Sequence, residues 1–257
     1  MRNLAAVLSL LLLAGCAGDP APAPETSTAP TAAAAPSPTE RRCADPELND
    51  KQVTFADTNG VYLTGYVLGT GRTALVLAAQ AAADSCSWLS WARQQAAAGY
   101  RVLAFDFNGE GRSRRGPDSK ASGDVAAAAA FARAQGATGV VLIGASRGGT
   151  AVLVAAAGLT PPPTAVVGLS PAPKYAGENA LDAVPRLTAP VLYVAATGDS
   201  GFPADARAMY DATPGERRKL ALVPGRLHGA AFLTIAAEGA PEAATALDAF
   251  LKANAPA

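Results

Sequence analysis

The chain has 257 residues, half of them hydrophobic (50%), and its 21 lysines and arginines balance 21 aspartates and glutamates. That length can bury one sizeable core, while zero net charge without any basic run excludes the electrostatic footprint of a nucleic-acid binder. A single histidine, three cysteines without Cys-x-x-Cys spacing, and no Walker A or strand-to-helix Gly-x-Gly-x-x-Gly pattern speak against a dedicated metal site, a P-loop or a dinucleotide site. No metal and no cofactor is expected.

Residues 1–15 read as an export signal: Arg2 supplies the positive start and Leu4 to Leu13 an apolar run too short to be a membrane span. The run ends in Leu13-Ala14-Gly15-Cys16, which resembles a bacterial lipobox. That resemblance implies cleavage before Cys16, lipidation of Cys16 and anchoring to the outer face of the cell membrane. The competing reading is an ordinary secretory signal with Cys16 incidental. Residues 16–42 are almost all Ala, Pro, Thr and Ser without apolar periodicity, the composition of a disordered tether. The folded domain is expected over residues 43–257.

Gln52 to Phe55 and Val61 to Leu68 read as a hairpin turning at Asp57-Thr58-Asn59-Gly60. Next come a strand from Thr73 to Ala79, a helix from Ser87 to Ala98, a strand from Tyr100 to Phe105 and a helix from Ala121 to Gln135. Gly139 to Ile143 form a fifth strand of mostly β-branched residues, followed through Gly144-Ala145-Ser146-Arg147-Gly148 by the apolar helix Thr150 to Ala157. Strands at Thr164 to Leu169, Pro190 to Ala195 and Arg218 to Val223 and helices at Pro203 to Ala212 and Pro241 to Ala253 complete the alternation. An opening hairpin followed by alternating strands and helices gives an α/β architecture: a mostly parallel central sheet with helices on both faces. Ligands of such sheets bind at the carboxyl ends of the strands. Trp88 and Trp91 lie three apart on one predicted helix and suit core packing.

A strand running into a helix through Gly-x-Ser-x-Gly is the nucleophile elbow. The turn is too tight for side chains two residues either side of Ser146, hence Gly144 and Gly148. With this element order, the chain resembles the α/β-hydrolase fold over about Gln52 to Ala253. The resemblance implies a nucleophile, an acid and a histidine in that chain order. Ser146 is then the nucleophile. His228, the one histidine in the chain, falls just past the last strand, where the fold needs a base. Asp199 follows the preceding strand and suits the acid that orients the histidine; Asp205 competes but lies inside the next helix. The resemblance also implies an oxyanion hole built from the backbone N–H of Arg147 and a second N–H, from Ala81 or Gln80. Relatives often carry His-Gly in that loop, where this chain has Ala79-Gln80.

Asp106 to Ser113 resembles the Asp-x-Arg-Gly-x-Gly-x-Ser loop of this fold, with Asn108 in place of arginine. It reads as structural, with Asp106 bonding nearby backbone and Glu110 and Arg112 as solvated charges.

The expected function is hydrolysis of a small ester (or amide or thioester) by Ser-His-Asp acyl-enzyme chemistry at the cell envelope, with oligomeric state open. The alternative is a non-catalytic envelope lipoprotein that keeps the fold for binding, which the Ala79-Gln80 departure would suit. With Cys16 lipidated in an exported protein, Cys43 and Cys86 are expected to form a disulfide rather than stay buried thiols. Only residues 170–189 separate the sixth strand from the next, enough for one short covering helix but not for a cap domain. An open site taking short acyl groups follows.

Overall fold

A computed structural model describes Cys43, residues 45–48, 50–117 and 120–257. The export signal, Cys16 and the tether lie outside the described residues.

β1 (Gln52–Ala56) and β2 (Tyr62–Leu68) pair antiparallel, and the turn between them is held by Asp57, whose Oδ1 accepts from the N–H groups of Asn59 and Val61, both at 2.8 Å. The parallel strands are β3 (Thr73–Ala78), β4 (Arg101–Phe105), β5 (Gly139–Ala145) and β6 (Ala165–Leu169). β7 (Lys174–Tyr175) and β8 (Glu178–Asn179) form a separate two-stranded hairpin; β9 (Val191–Ala196) and β10 (Arg218–Val223) complete the main sheet. The eight-stranded order is β1-β2-β4-β3-β5-β6-β9-β10, parallel from β4 onward.

Strands buried on both faces need apolar side chains pointing both ways, and β3 shows the division. Ala74, Val76 and Ala78 pack with α2 (Ala121–Ala134), α3 (Arg147–Ala156) and α5 (Phe202–Ala212). Leu75 and Leu77 pack on the other face with α1 (Leu89–Ala97) and α7 (Ala240–Asn254). Trp88 and Trp91 belong to that second core, ring centroids 6.3 Å apart. The helix expected from Ser87 opens at Leu89, since Ser87 and Trp88 belong to a 3₁₀ turn, Ser85–Trp88. The turn starts there because Asp84 accepts from the Cys86 N–H as its cap.

The segment over residues 170–189 holds the β7–β8 hairpin, α4 (Ala180–Ala183) and a 3₁₀ turn, Val184–Arg186. The hairpin was not legible from periodicity, since two-residue strands have none. Its turn, Ala176-Gly177, has positive φ at both residues (46° and 79°), as a tight hairpin turn demands. A last short helix, α6 (Ala231–Thr234), follows the histidine loop.

Cys43 and Cys86 form a disulfide with Cα atoms 5.5 Å apart. It sits in a small cluster with Leu48, Tyr66, Leu68 and Leu89, so the domain's first residues are fastened beside the start of α1.

Candidate active site

The elbow is built by β5 and α3. Ser146 takes φ 49°, ψ −114°, a conformation L-residues rarely adopt, and its N–H donates to Leu169 O at 2.8 Å. A Cβ on Gly144 would lie 2.1 Å from Gly148 O, and one on Gly148 would lie 2.2 Å from Ala78 O. Both glycines are thus required by backbone contact, and the second presses the elbow against the end of β3. The N–H of Arg147, first in α3, has no intrahelical acceptor and lies at the positive end of the helix dipole.

Asp199 and His228 come together because β9 and β10 run parallel in register, Ala196 opposite Val223. Their loops stay paired beyond the strands: Thr197 N–H donates to Val223 O at 2.8 Å and Gly198 N–H to Gly225 O at 2.9 Å. Gly198 permits this approach, since a Cβ there would sit 2.8 Å from Gly225 O. Asp199 Oδ2 then lies 2.8 Å from His228 Nδ1. The carboxylate is nearly closed off while the imidazole stays about a third exposed (10% and 32%). Phe202 packs its edge on the His228 ring, centroids 4.4 Å apart. Asp205, the competing acid, sits on α5, where burial raises its pKa; it is Asp199 that meets the imidazole.

The histidine loop closes onto the elbow and the β3 loop. A Cβ on Gly229 would lie 3.2 Å from Ala145 Cβ and 2.6 Å from Gln80 Oε1. Gln80 Oε1 accepts from the Ala230 N–H at 2.9 Å. The residue before Ser146, the residue after His228 and the Gln80 side chain therefore meet at one point. Gln80 and Ala81 lie in the loop that the elbow glycine touches through Ala78 and Ala79.

Sequence reasoning missed three contributors. Ser170, fully buried, donates its Oγ–H to Asp199 Oδ2 at 2.8 Å. Gln80, named in sequence for its backbone N–H, contributes its side chain as a strut to the histidine loop. Glu110, expected to be solvated, instead forms a two-pronged ion pair with Arg147, one arm at 2.6 Å. The Arg147 side chain is 9% exposed and its guanidinium lies 4.5 Å from the centre of the Phe107 ring. Nothing local marks that pair: 37 residues separate its members.

Asp106 behaves as the sequence suggested. Its carboxylate accepts from the N–H groups of Ser85 and Arg112, both at 2.7 Å. Burial nonetheless holds its pKa above the usual carboxylate value, the N–H donors offsetting this only in part. Gly111, at φ 50°, gives the carboxylate room, since a Cβ there would overlap it at 2.0 Å.

Two clefts flank the Glu110–Arg147 pair. One, about 500 Å³, is lined by Phe107, Asn108, Lys120, Asp124, Arg147 and Tyr175. The other, about 600 Å³, is lined by Ala82, Ala83, Asp84, Ser87, Gly109 and Gly111. Glu110 borders both.

A family model described as α/β hydrolase fold matches residues 73–182. The chain has the α/β-hydrolase fold. Its eight-stranded, mostly parallel sheet with helices packed around it is of that kind. No curated protein matches this α/β-hydrolase chain in sequence. Solved structures do match its fold. An esterase from Pyrococcus furiosus is 16% identical, covers 79% of this chain and 91% of its own, and superposes with a TM-score of 0.64. The esterase RhEst1 from a Rhodococcus species is 18% identical over 79% of this chain and 99% of its own, with a TM-score of 0.67. The esterase domain of a Rhodothermus marinus protein is 22% identical over 79% and 98%, with a TM-score of 0.61. At these identities the likeness is one of fold.

Proposed function

We propose that the protein is a serine hydrolase that cleaves small esters through an acyl-enzyme. The observation that carries this reading is the 2.8 Å His228–Asp199 contact, made past the same carboxyl ends of the parallel strands as the strained Ser146 elbow. In the proposed reaction His228 Nε2 takes the Ser146 Oγ proton as Oγ bonds to the substrate carbonyl carbon. The N–H of Arg147, with that of Ala81 or Gln80, holds the resulting oxyanion. As the tetrahedral intermediate collapses, the ester C–O bond breaks and the departing alkoxide takes the proton from His228. Water then attacks the acyl-Ser146 carbonyl as it gives a proton to His228; when this second intermediate collapses the acyl C–Oγ bond breaks, Ser146 Oγ takes that proton back from His228, and the acid leaves. Asp199 accepts from Nδ1–H throughout, so that Nε2 faces the serine and the imidazolium is stabilised.

Small substrates fit the surroundings. Residues 170–189 build only a hairpin, the four-residue α4 and a 3₁₀ turn, too little to sheathe a long acyl chain. The flanking clefts carry charged groups among their lining, Lys120, Asp124 and Arg147 in one, Asp84 in the other and Glu110 in both. Each CH₂ that stays in water forfeits about 0.8 kcal/mol, so long chains gain little over short ones. For location, the reading is export with lipidation at Cys16, the tether holding the domain off the outer face of the membrane.

A fluorophosphonate probe tests the chemistry: wild-type protein is expected to label and Ser146→Ala not to. Labelling that survives Ser146→Ala would refute the nucleophile, and an unlabelled wild type would favour a non-catalytic binding protein. A p-nitrophenyl ester series is expected to give its best kcat/KM on short acyl chains. A maximum at laurate or beyond would overturn the open-site reading. Mass spectrometry of membrane-extracted protein is expected to find a lipid-modified N-terminal Cys16.

A further inference from the structure

Five non-glycine residues among those described have positive φ: Ala82, Ser146, Ser170, Ala176 and Ser200. Ala176 is explained by its hairpin turn. The other four surround the candidate site, and Ser146 is explained by the elbow. Ser170 has no such explanation. It follows directly on β6, at φ 44°, fully buried, where continued strand conformation would cost no strain. Its N–H donates to Val194 O at 2.7 Å, extending the β6–β9 pairing by one residue. Its side chain departs from the sheet and donates to Asp199 Oδ2 at 2.8 Å, the same oxygen that meets His228 Nδ1.

We infer that Ser170 is a positioning residue of the reaction, its hydroxyl fixing the Asp199 carboxylate so that Oδ2 stays aimed at His228. A carboxylate can rotate about its Cβ–Cγ bond, and the bond to His228 alone would not hold it, since both partners sit on loops. Anchoring Oδ2 from β6 ties the acid to the same strand end that receives the Ser146 N–H through Leu169 O. Nucleophile and acid thereby take their positions from adjacent residues of one strand, Leu169 and Ser170.

The inference rests on the proposed hydrolase reading, and its test separates the two. Ser170→Ala is expected to lower kcat about 10- to 100-fold with KM within about twofold, as removal of an orienting partner does. In an Asp199→Asn background the same substitution is expected to change kcat by less than about twofold, because Ser170 acts through that carboxylate. Ser170→Gly removes the hydroxyl while relieving the positive φ, so it is expected to match Ser170→Ala. Full activity in Ser170→Gly, or an equal loss in both backgrounds, would overturn the inference.

The second readout needs no activity. The chain has one histidine, so the downfield proton resonance of the His228 Nδ1–H in an NMR spectrum is unambiguous. It is expected to shift or broaden in Ser170→Ala and Ser170→Gly as the Asp199 contact loosens. An unchanged resonance in both variants would refute the positioning role. A wild type without hydrolytic activity whose resonance still responds to Ser170 would defeat the hydrolase reading and leave the Ser170–Asp199–His228 arrangement supported.

Discussion

Gln80 offers the sharpest test of how the site is held. Its Oε1 accepts the Ala230 N–H at 2.9 Å, and Ala230 is only 3% exposed. Gln80→Ala removes the acceptor and leaves a buried N–H without a partner. A neutral hydrogen bond is worth about 1 kcal/mol net, and an orphaned buried donor costs about 1–3 kcal/mol, so a loss of about 2 kcal/mol is expected. In a domain of this size each kcal/mol moves Tm by about 2–4 °C, giving a fall of about 4–8 °C. The Ala230 N–H lies two residues past His228, across Gly229 at φ 59°, so the imidazole is released with it. A displacement near 1 Å costs about 100-fold in rate, which sets the scale for kcat. Gln80→Glu keeps an acceptor of the same shape and is expected to hold Tm, yet its charge opposes the oxyanion and lowers kcat. Differential scanning calorimetry and steady-state kinetics on a short p-nitrophenyl ester decide the matter. A Gln80→Ala protein with unchanged Tm, or with KM raised and kcat intact, would show that Gln80 does not brace the histidine loop.

Two further outcomes concern stability. Glu110→Ala leaves the nearly buried Arg147 guanidinium without its carboxylate; urea denaturation is expected to show a loss of about 1–3 kcal/mol, below that of a fully buried pair because Glu110 is about one-third exposed (34%). An unchanged midpoint would mean solvent replaces Glu110 at no cost. The paired substitution Cys43→Ser with Cys86→Ser opens a bridge across 43 positions; chain entropy allows a loss of up to about 4 kcal/mol, again read by urea. Two alkylatable thiols in the non-reduced domain would contradict the bridge itself.

The main elements were legible in the sequence because their signals are local. β5 is a run of apolar, β-branched residues, and the glycines around Ser146 mark a turn that admits no side chain. The alternation after the hairpin leaves few architectures besides a covered parallel sheet. The two-residue strands at Lys174–Tyr175 and Glu178–Asn179 were not legible, being too short to show a period. In the site, Ser146, Asp199 and His228 could be nominated from their places after strands. What brings Asp199 to His228 is the register of β9 on β10, which no single segment encodes.

Tertiary structure alone decided the supporting contacts. Ser170 reads in sequence as an unremarkable residue after a strand, and its hydroxyl acquires meaning only because Asp199, 29 residues on, is folded against it. Glu110 reads as a surface charge until α3 brings Arg147 beneath it. Gln80 reads as a departure from a familiar loop until Ala230, 150 residues later, donates to its side chain. Hydrophobic period and turn chemistry are properties of neighbours in the chain. Hydrogen bonds between loops depend on strand order and register, which the sheet fixes only once all its strands have paired.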